Sequence, residues 1–269
     1  MAYLLNQHQA STQLAVEIIV GEKTGPEAIA KALDYVAQIR KTPIVVNDSR
    51  GFYTSRVFGT YTAEGMAMVE EGIAPASIEN GAYLAGYPVG PLAVSDEVTL
   101  TLQDKVRQQT IADYTAAGEP EPALVGESVL DKMLNAQRAG KSSGSGFYDY
   151  PAGKGGKKSL WPGLAELFPL AAEHADINEV QDRLLYIQAI ETLRCREEGV
   201  ITTTRDANIG AIMGIGYPAW TGGTLQFINS IGSAAFVARA DQLAAKYGER
   251  FAVPQLLRDL AATNALLTD

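Results

Sequence analysis

The stretch Leu14-Ala15-Val16-Glu17-Ile18-Ile19-Val20 is apolar everywhere except Glu17, and its reading sets the fold. Gly21 to Pro26 supplies a turn, Ala28 to Ile39 repeats apolar residues at helical spacing, and Thr42-Pro43-Ile44-Val45-Val46-Asn47 is a second short strand pattern. Strand, helix and strand in that order form the last unit of an α/β sheet. Two strands alone make a marginal sheet. From Asp48 the pattern changes, because Asp48 to Gly51 is turn chemistry and the chain then becomes helical. Val57, Tyr61, Gly65 and Met68 or Val69 share one helix face, which stops at Gly72. Pro91, Gly118 and Gly140 punctuate further helices, and Gly140 to Gly146 is a Gly/Ser loop. Gly153-Lys154-Gly155-Gly156-Lys157-Lys158 reads as a linker, and a second helical block begins near Asn178.

The two helical blocks match each other. Glu70-Glu71-Gly72, Gly86-Tyr87-Pro88 and Gly90-Pro91 correspond in order to Glu197-Glu198-Gly199, Gly216-Tyr217-Pro218 and Gly222-Gly223. Three ordered matches argue for an internal duplication rather than coincident glycine and proline.

At 269 residues and 46% hydrophobic content the chain can bury a large core. Thirty-one acidic against twenty-two basic side chains leave a net charge of −9, which disfavours a nucleic-acid partner. No run reaches the roughly 18 to 20 apolar residues a membrane span needs, so no membrane insertion is expected. Met1 to Gln13 lacks the charged start and apolar core of a signal peptide and reads as a poorly ordered lead-in. The one cysteine, Cys195, cannot form an internal disulfide and fits a reducing, cytoplasmic setting. It reads as structural, not as a nucleophile.

Val16-Glu17-Ile18-Ile19-Val20-Gly21-Glu22-Lys23-Thr24, Lys41 to Asp48, Gly51-Phe52-Tyr53-Thr54-Ser55-Arg56, Gly86 to Pro91 and Gly144-Ser145-Gly146-Phe147-Tyr148 together resemble the 3-hydroxyacyl-CoA dehydrogenase family. The tandem helical blocks resemble the multifunctional fatty-acid oxidation enzymes that join this dehydrogenase to an enoyl-CoA hydratase. The resemblance implies a mainly α chain: two tandem, duplicated helical dehydrogenase C-terminal domains preceded by a strand-helix-strand remnant of a Rossmann domain. The expected boundaries are a lead-in at 1–13, the remnant at 14–48, the first helical domain at 49–150, a linker at 151–176 and the second helical domain at 177–269. No strand here is followed by G-x-G-x-x-G at a helix start, so the pyrophosphate turn of an NAD site is missing. NAD is expected in the complete enzyme and not bound tightly by this chain, which is expected to be inactive alone. The partners implied are an acyl-CoA substrate and, left open, a second copy in a homodimer.

Oxidising a 3-hydroxyl calls for a neutral histidine as base, oriented by a carboxylate on its other ring nitrogen. The resemblance makes Glu17 that histidine-orienting carboxylate. Its histidine position is occupied by Leu5, and His8 and His174 are off register. Without the resemblance, Glu17 reads as one charge on an edge strand. The resemblance places Ser55 at a substrate-contacting position, where its hydroxyl could bond the substrate oxygen or could instead cap a helix. Both readings stay open. Arg50 replaces a proline of the family pattern. Lys141 and Ser142 fall where relatives place cofactor-binding residues, against the plain alternative of an exposed helix end. Lys154, Lys157 and Lys158 read as a solvated linker, and Trp161 and Trp220 as core or domain anchors. Two other functions compete: a noncatalytic helical dimerisation module, and the helical half of a different β-hydroxyacid dehydrogenase.

Overall fold

A computed structural model of the chain describes residues 14–120, 122, 124–151, 156–263 and 265–269. The lead-in at 1–13, with Leu5 and His8, and linker residues 152–155, with Lys154, lie outside the described residues. β1 (Ala15–Val20) and β2 (Thr42–Asn47) pair in parallel, Ala15 opposite Thr42 through Val20 opposite Asn47. Between them runs α1 (Pro26–Gln38), which starts at Pro26 rather than Ala28. A proline in the first turn lacks only an amide that would have no helical partner, so it starts the helix without an apolar signal.

The chain is otherwise mainly α. α2 (Thr54–Glu70), α3 (Pro75–Ala85), α4 (Pro91–Val98), α5 (Leu100–Ala117) and α6 (Glu127–Asn135) lead to a short hairpin, β3 (Tyr148–Asp149) and β4 (Ser159–Leu160). After the one-turn α7 (Leu164–Leu167) come α8 (Ile177–Glu197), α9 (Thr204–Ile215), α10 (Thr224–Ile231), α11 (Ser233–Tyr247) and α12 (Gln255–Thr263).

The run α2 to α6 recurs as α8 to α12, and the likeness extends to side chains. Glu79 on α3 accepts from the Leu92 and Ala93 amides at 2.8 and 3.4 Å, holding the start of α4. Asn208 on α9 accepts from the Leu225 and Gln226 amides at 2.9 and 3.2 Å, holding the start of α10. In each case a glycine admits the capping side chain: a Cβ on Gly90 would stand 2.5 Å from the Glu79 carboxyl carbon, and one on Gly223 2.5 Å from Asn208 Cα. Asp96 on α4 accepts from the Phe147 and Tyr148 amides, while Asn229 on α10 holds Leu267 through both its amide and its carbonyl. The α4–α5 corner turns at Thr99 (φ 71, ψ 136) and the α10–α11 corner at Gly232 (φ 91, ψ 134).

The chain forms two compact units that interleave in sequence: residues up to Thr60 with Gly86–Pro88 and Leu185–Asp269, and Tyr61–Ala85 with Val89–Leu184. α2 and α8 each give one part to each unit. In the first unit α9 lies on the two-stranded sheet. Gly210 makes this approach possible, since a Cβ there would meet Ile44 at 2.6 Å and Tyr53 at 3.0 Å. Buried Asp206 accepts the Val45 amide at 3.0 Å, so α9 also satisfies a sheet-edge donor. Tyr186 stacks on Phe236 at 4.2 Å, with Phe227 edge-on to both. In the second unit Met68 and Val69 are buried, as the α2 face predicts, together with Ile78, Leu92, Met133 and Phe147.

Of the two roles expected of Trp220, core or domain anchor, the buried-core one does not hold: it is 68% exposed, but it packs with one edge against Gly86 and the ring of Phe227. It sits in a short helical turn that follows Pro218. Trp161 does anchor, lying 4.1 Å from the guanidinium of Arg138. His174 is exposed in the segment before α8.

Candidate functional site

The site forms within the first unit, where β1 meets the start of α2. Strand alternation puts Ala15, Glu17 and Ile19 on one face of β1. From there Glu17 Oε1 accepts the Tyr53 and Thr54 amides at 3.1 and 2.9 Å, and Oε2 accepts the Thr54 hydroxyl at 2.5 Å. A carboxylate at a helix N-terminus satisfies amides that lack helical partners and complements the helix dipole. Burial pushes the Glu17 pKa up, opposed by the hydrogen bonds from Thr54 and Tyr53.

The chain reaches this point through two consecutive left-handed residues, Gly51 (φ 71) and Phe52 (φ 50). Only the second is costly, at about 1–2 kcal/mol for an L side chain. Tyr53, wholly buried, anchors the turn by donating to the Ala207 carbonyl at 2.8 Å. Ser55 is the second residue of α2 and is exposed. The cap is therefore Glu17, reaching across from the strand, and the Ser55 hydroxyl is not spent on the helix start. Arg56 follows, its guanidinium 2.7 Å from Glu191 and 2.5 Å from Glu198.

Beside this junction an open cleft of about 750 Å³ lies at the carboxyl ends of both strands, lined by Val20 to Lys23 and Asn47 to Arg50. In open α/β sheets ligands bind at that edge. Lys23 and Arg50 line it together with Glu22 and Asp48, so the lining is mixed in charge. Arg50, at the proline position of the family pattern, thus becomes part of the cleft.

Lys141 and Ser142 belong to the second unit, in a one-turn 3-10 helix after Gly140. Lys141 Nζ lies 3.3 Å from Glu97, and both side chains are exposed, as is Ser142. Cys195 is fully buried with its thiol pushed up to about 12 by burial, in keeping with a structural role. Among the described residues no group of three or more His, Cys, Asp or Glu could hold a metal, and no helix is long and apolar enough to cross a membrane. Sequence reasoning missed Thr54, the donor that closes on Glu17; a hydroxyl before Ser55 was the available signal.

Two solved structures share the fold. The 3-hydroxybutyryl-CoA dehydrogenase of Escherichia coli K12 superposes with a TM-score of 0.73 at 19% identity, over 95% of this chain and 69% of that one. The dehydrogenase part of multifunctional enzyme 1 from C. elegans gives 0.68 at 22% identity, over 93% and 57%. The chain thus shares its fold with both. Family models then match twice in succession: the NAD binding domain of 3-hydroxyacyl-CoA dehydrogenase at residues 9–49 and its C-terminal domain at residues 51–150. The chain belongs to the 3-hydroxyacyl-CoA dehydrogenase family. It is 36% identical to the fatty acid oxidation complex subunit alpha of Shewanella amazonensis over 251 residues, and 36% identical to that of Pseudomonas aeruginosa over 252. These alignments cover 92% and 91% of this chain but 34% of each relative, so the chain spans about a third of their length.

Proposed function

We propose that this chain is the substrate-binding and assembly portion of an NAD-dependent 3-hydroxyacyl-CoA dehydrogenase of fatty-acid β-oxidation, working in the cytoplasm. The observation that carries this is the junction itself: a strand carboxylate, Glu17, fixed on the first turn of the helix that presents an exposed Ser55. In the complete enzyme Ser55 contacts the oxygen on carbon 3 of the acyl-CoA, and Glu17 orients the histidine that takes its proton. In the complete enzyme NAD would supply the hydride acceptor. The residues of this chain do not by themselves fit that cofactor, since among the described residues no strand is followed by a glycine-rich pyrophosphate turn. Lys141 and Ser142 are assigned to the cofactor side of the complete site. The repeats at 49–150 and 177–269 are the assembly part, able to support a homodimer.

The test is calorimetric titration of the chain with acetoacetyl-CoA, with free coenzyme A and 3-hydroxybutyrate as comparisons. Saturable binding that needs the acyl-CoA supports the proposal. Tight binding of the free hydroxy acid points to another dehydrogenase class, and no binding of any of the three leaves a noncatalytic dimerisation module.

A further inference from the structure

We infer that Thr54 is a positioning residue, which by closing on Glu17 fixes the first turn of α2 and so the direction of the Ser55 hydroxyl. The inference rests on the substrate-binding role of Ser55 proposed above.

Three observations converge on the same short segment. The Thr54 side chain is 7% exposed and donates to Oε2 of Glu17 at 2.5 Å, while its amide and that of Tyr53 occupy Oε1. Both carboxylate oxygens are therefore held by one helix turn, and the strand and the helix cannot shift without breaking three bonds. The segment entering that turn is strained at Phe52 (φ 50) and would relax if released. Tyr53 cannot absorb the change, because its ring is fully buried and its hydroxyl is tied to the Ala207 carbonyl. Any loosening must pass to the next residue in the helix, Ser55, which is exposed and so unconstrained by packing. A hydroxyl whose direction matters is thus set by its neighbour's bond to a carboxylate, not by contacts of its own.

A double-mutant cycle on the full chain tests this, read as acetoacetyl-CoA affinity by calorimetry with thermal unfolding as a folding control. Thr54→Val keeps the shape and removes the donor; affinity should fall roughly five- to tenfold, the worth of about one hydrogen bond. Thr54→Ser should restore it. Ser55→Ala should lower affinity by itself, and adding Thr54→Val to it should cost little more, because the position being fixed no longer carries the contact. A merely structural Thr54 predicts additive losses, and additivity overturns the inference, as does a Thr54→Val chain that binds like the parent. If the parent itself shows no saturable binding, the substrate-binding reading fails and the inference fails with it.

Discussion

Arg56 and Arg183 are equivalent residues of the two repeats, and each binds the pair of glutamates that in its own repeat lies downstream of the other. Glu64 and Glu71 follow Arg56 at the same intervals at which Glu191 and Glu198 follow Arg183. Arg56 pairs with Glu191 and Glu198, and Arg183 with Glu64 and Glu71, each set within its own unit. α2 and α8 therefore run antiparallel in both units, and a single duplicated motif supplies both clamps.

The two clamps differ in burial, and their energetics should differ accordingly. Arg183 is fully buried and Glu64 1% exposed, whereas Glu198 is half exposed beside an Arg56 that still sees solvent. Arg183→Met should cost about 3–5 kcal/mol, since it strands a buried carboxylate. Arg56→Met should cost about 1 kcal/mol. Urea unfolding of both variants checks the order, and equal losses would contradict it.

Glu79 should make the second unit less stable at neutral than at mildly acid pH. Burial raises its pKa above 4.5, outweighing hydrogen bonds from Tyr148, Leu92 and Ala93. The folded state thus favours the protonated acid more than the unfolded chain does. That contribution is fully present below the unfolded value and is lost as pH rises through the folded one. Asn208 shows that an amide does the same capping without a charge. Glu79→Gln should therefore flatten the pH dependence and leave the chain at least as stable at neutral pH. Unfolding midpoints measured from pH 4.5 upward decide; a variant weakened most at neutral pH would refute this.

Gly90→Ala and Gly223→Ala should each cost about 1–3 kcal/mol, because the new methyl would overlap the capping side chain. Gly59→Ala on α2 meets nothing within 4 Å and should stabilise by roughly 0.5–1 kcal/mol. Thermal unfolding of the three variants provides the comparison.

The chain alone should not form NADH from NAD and a 3-hydroxyacyl-CoA, nor bind NAD appreciably, because it carries no glycine-rich turn. A steady NADH signal that depends on the chain and disappears in Glu17→Ala would show otherwise.

By itself the sequence determined the class of the main local elements, though not of β4 and α7, which fall in the stretch read as a linker. The apolar runs at 14–20 and 42–47 become β1 and β2, the Val57, Tyr61 and Met68 stripe is buried, and glycines at 72, 86, 199 and 216 adopt positive φ where helices stop. The repeat was legible because turn residues recur in order. These are short-range properties, fixed by side-chain period and backbone sterics. The family pattern singled out Glu17, but not its attachment to Tyr53 and Thr54, which lie far along the chain. Tertiary structure alone decided that Arg56 and Arg183 exchange glutamates, that Glu79 and Asp96 are buried caps rather than solvated charges, and that the compact units interleave. A charge on a helix has the same sequence signature facing water or facing a partner. Which it faces depends on the desolvation and hydrogen bonding that only packing supplies.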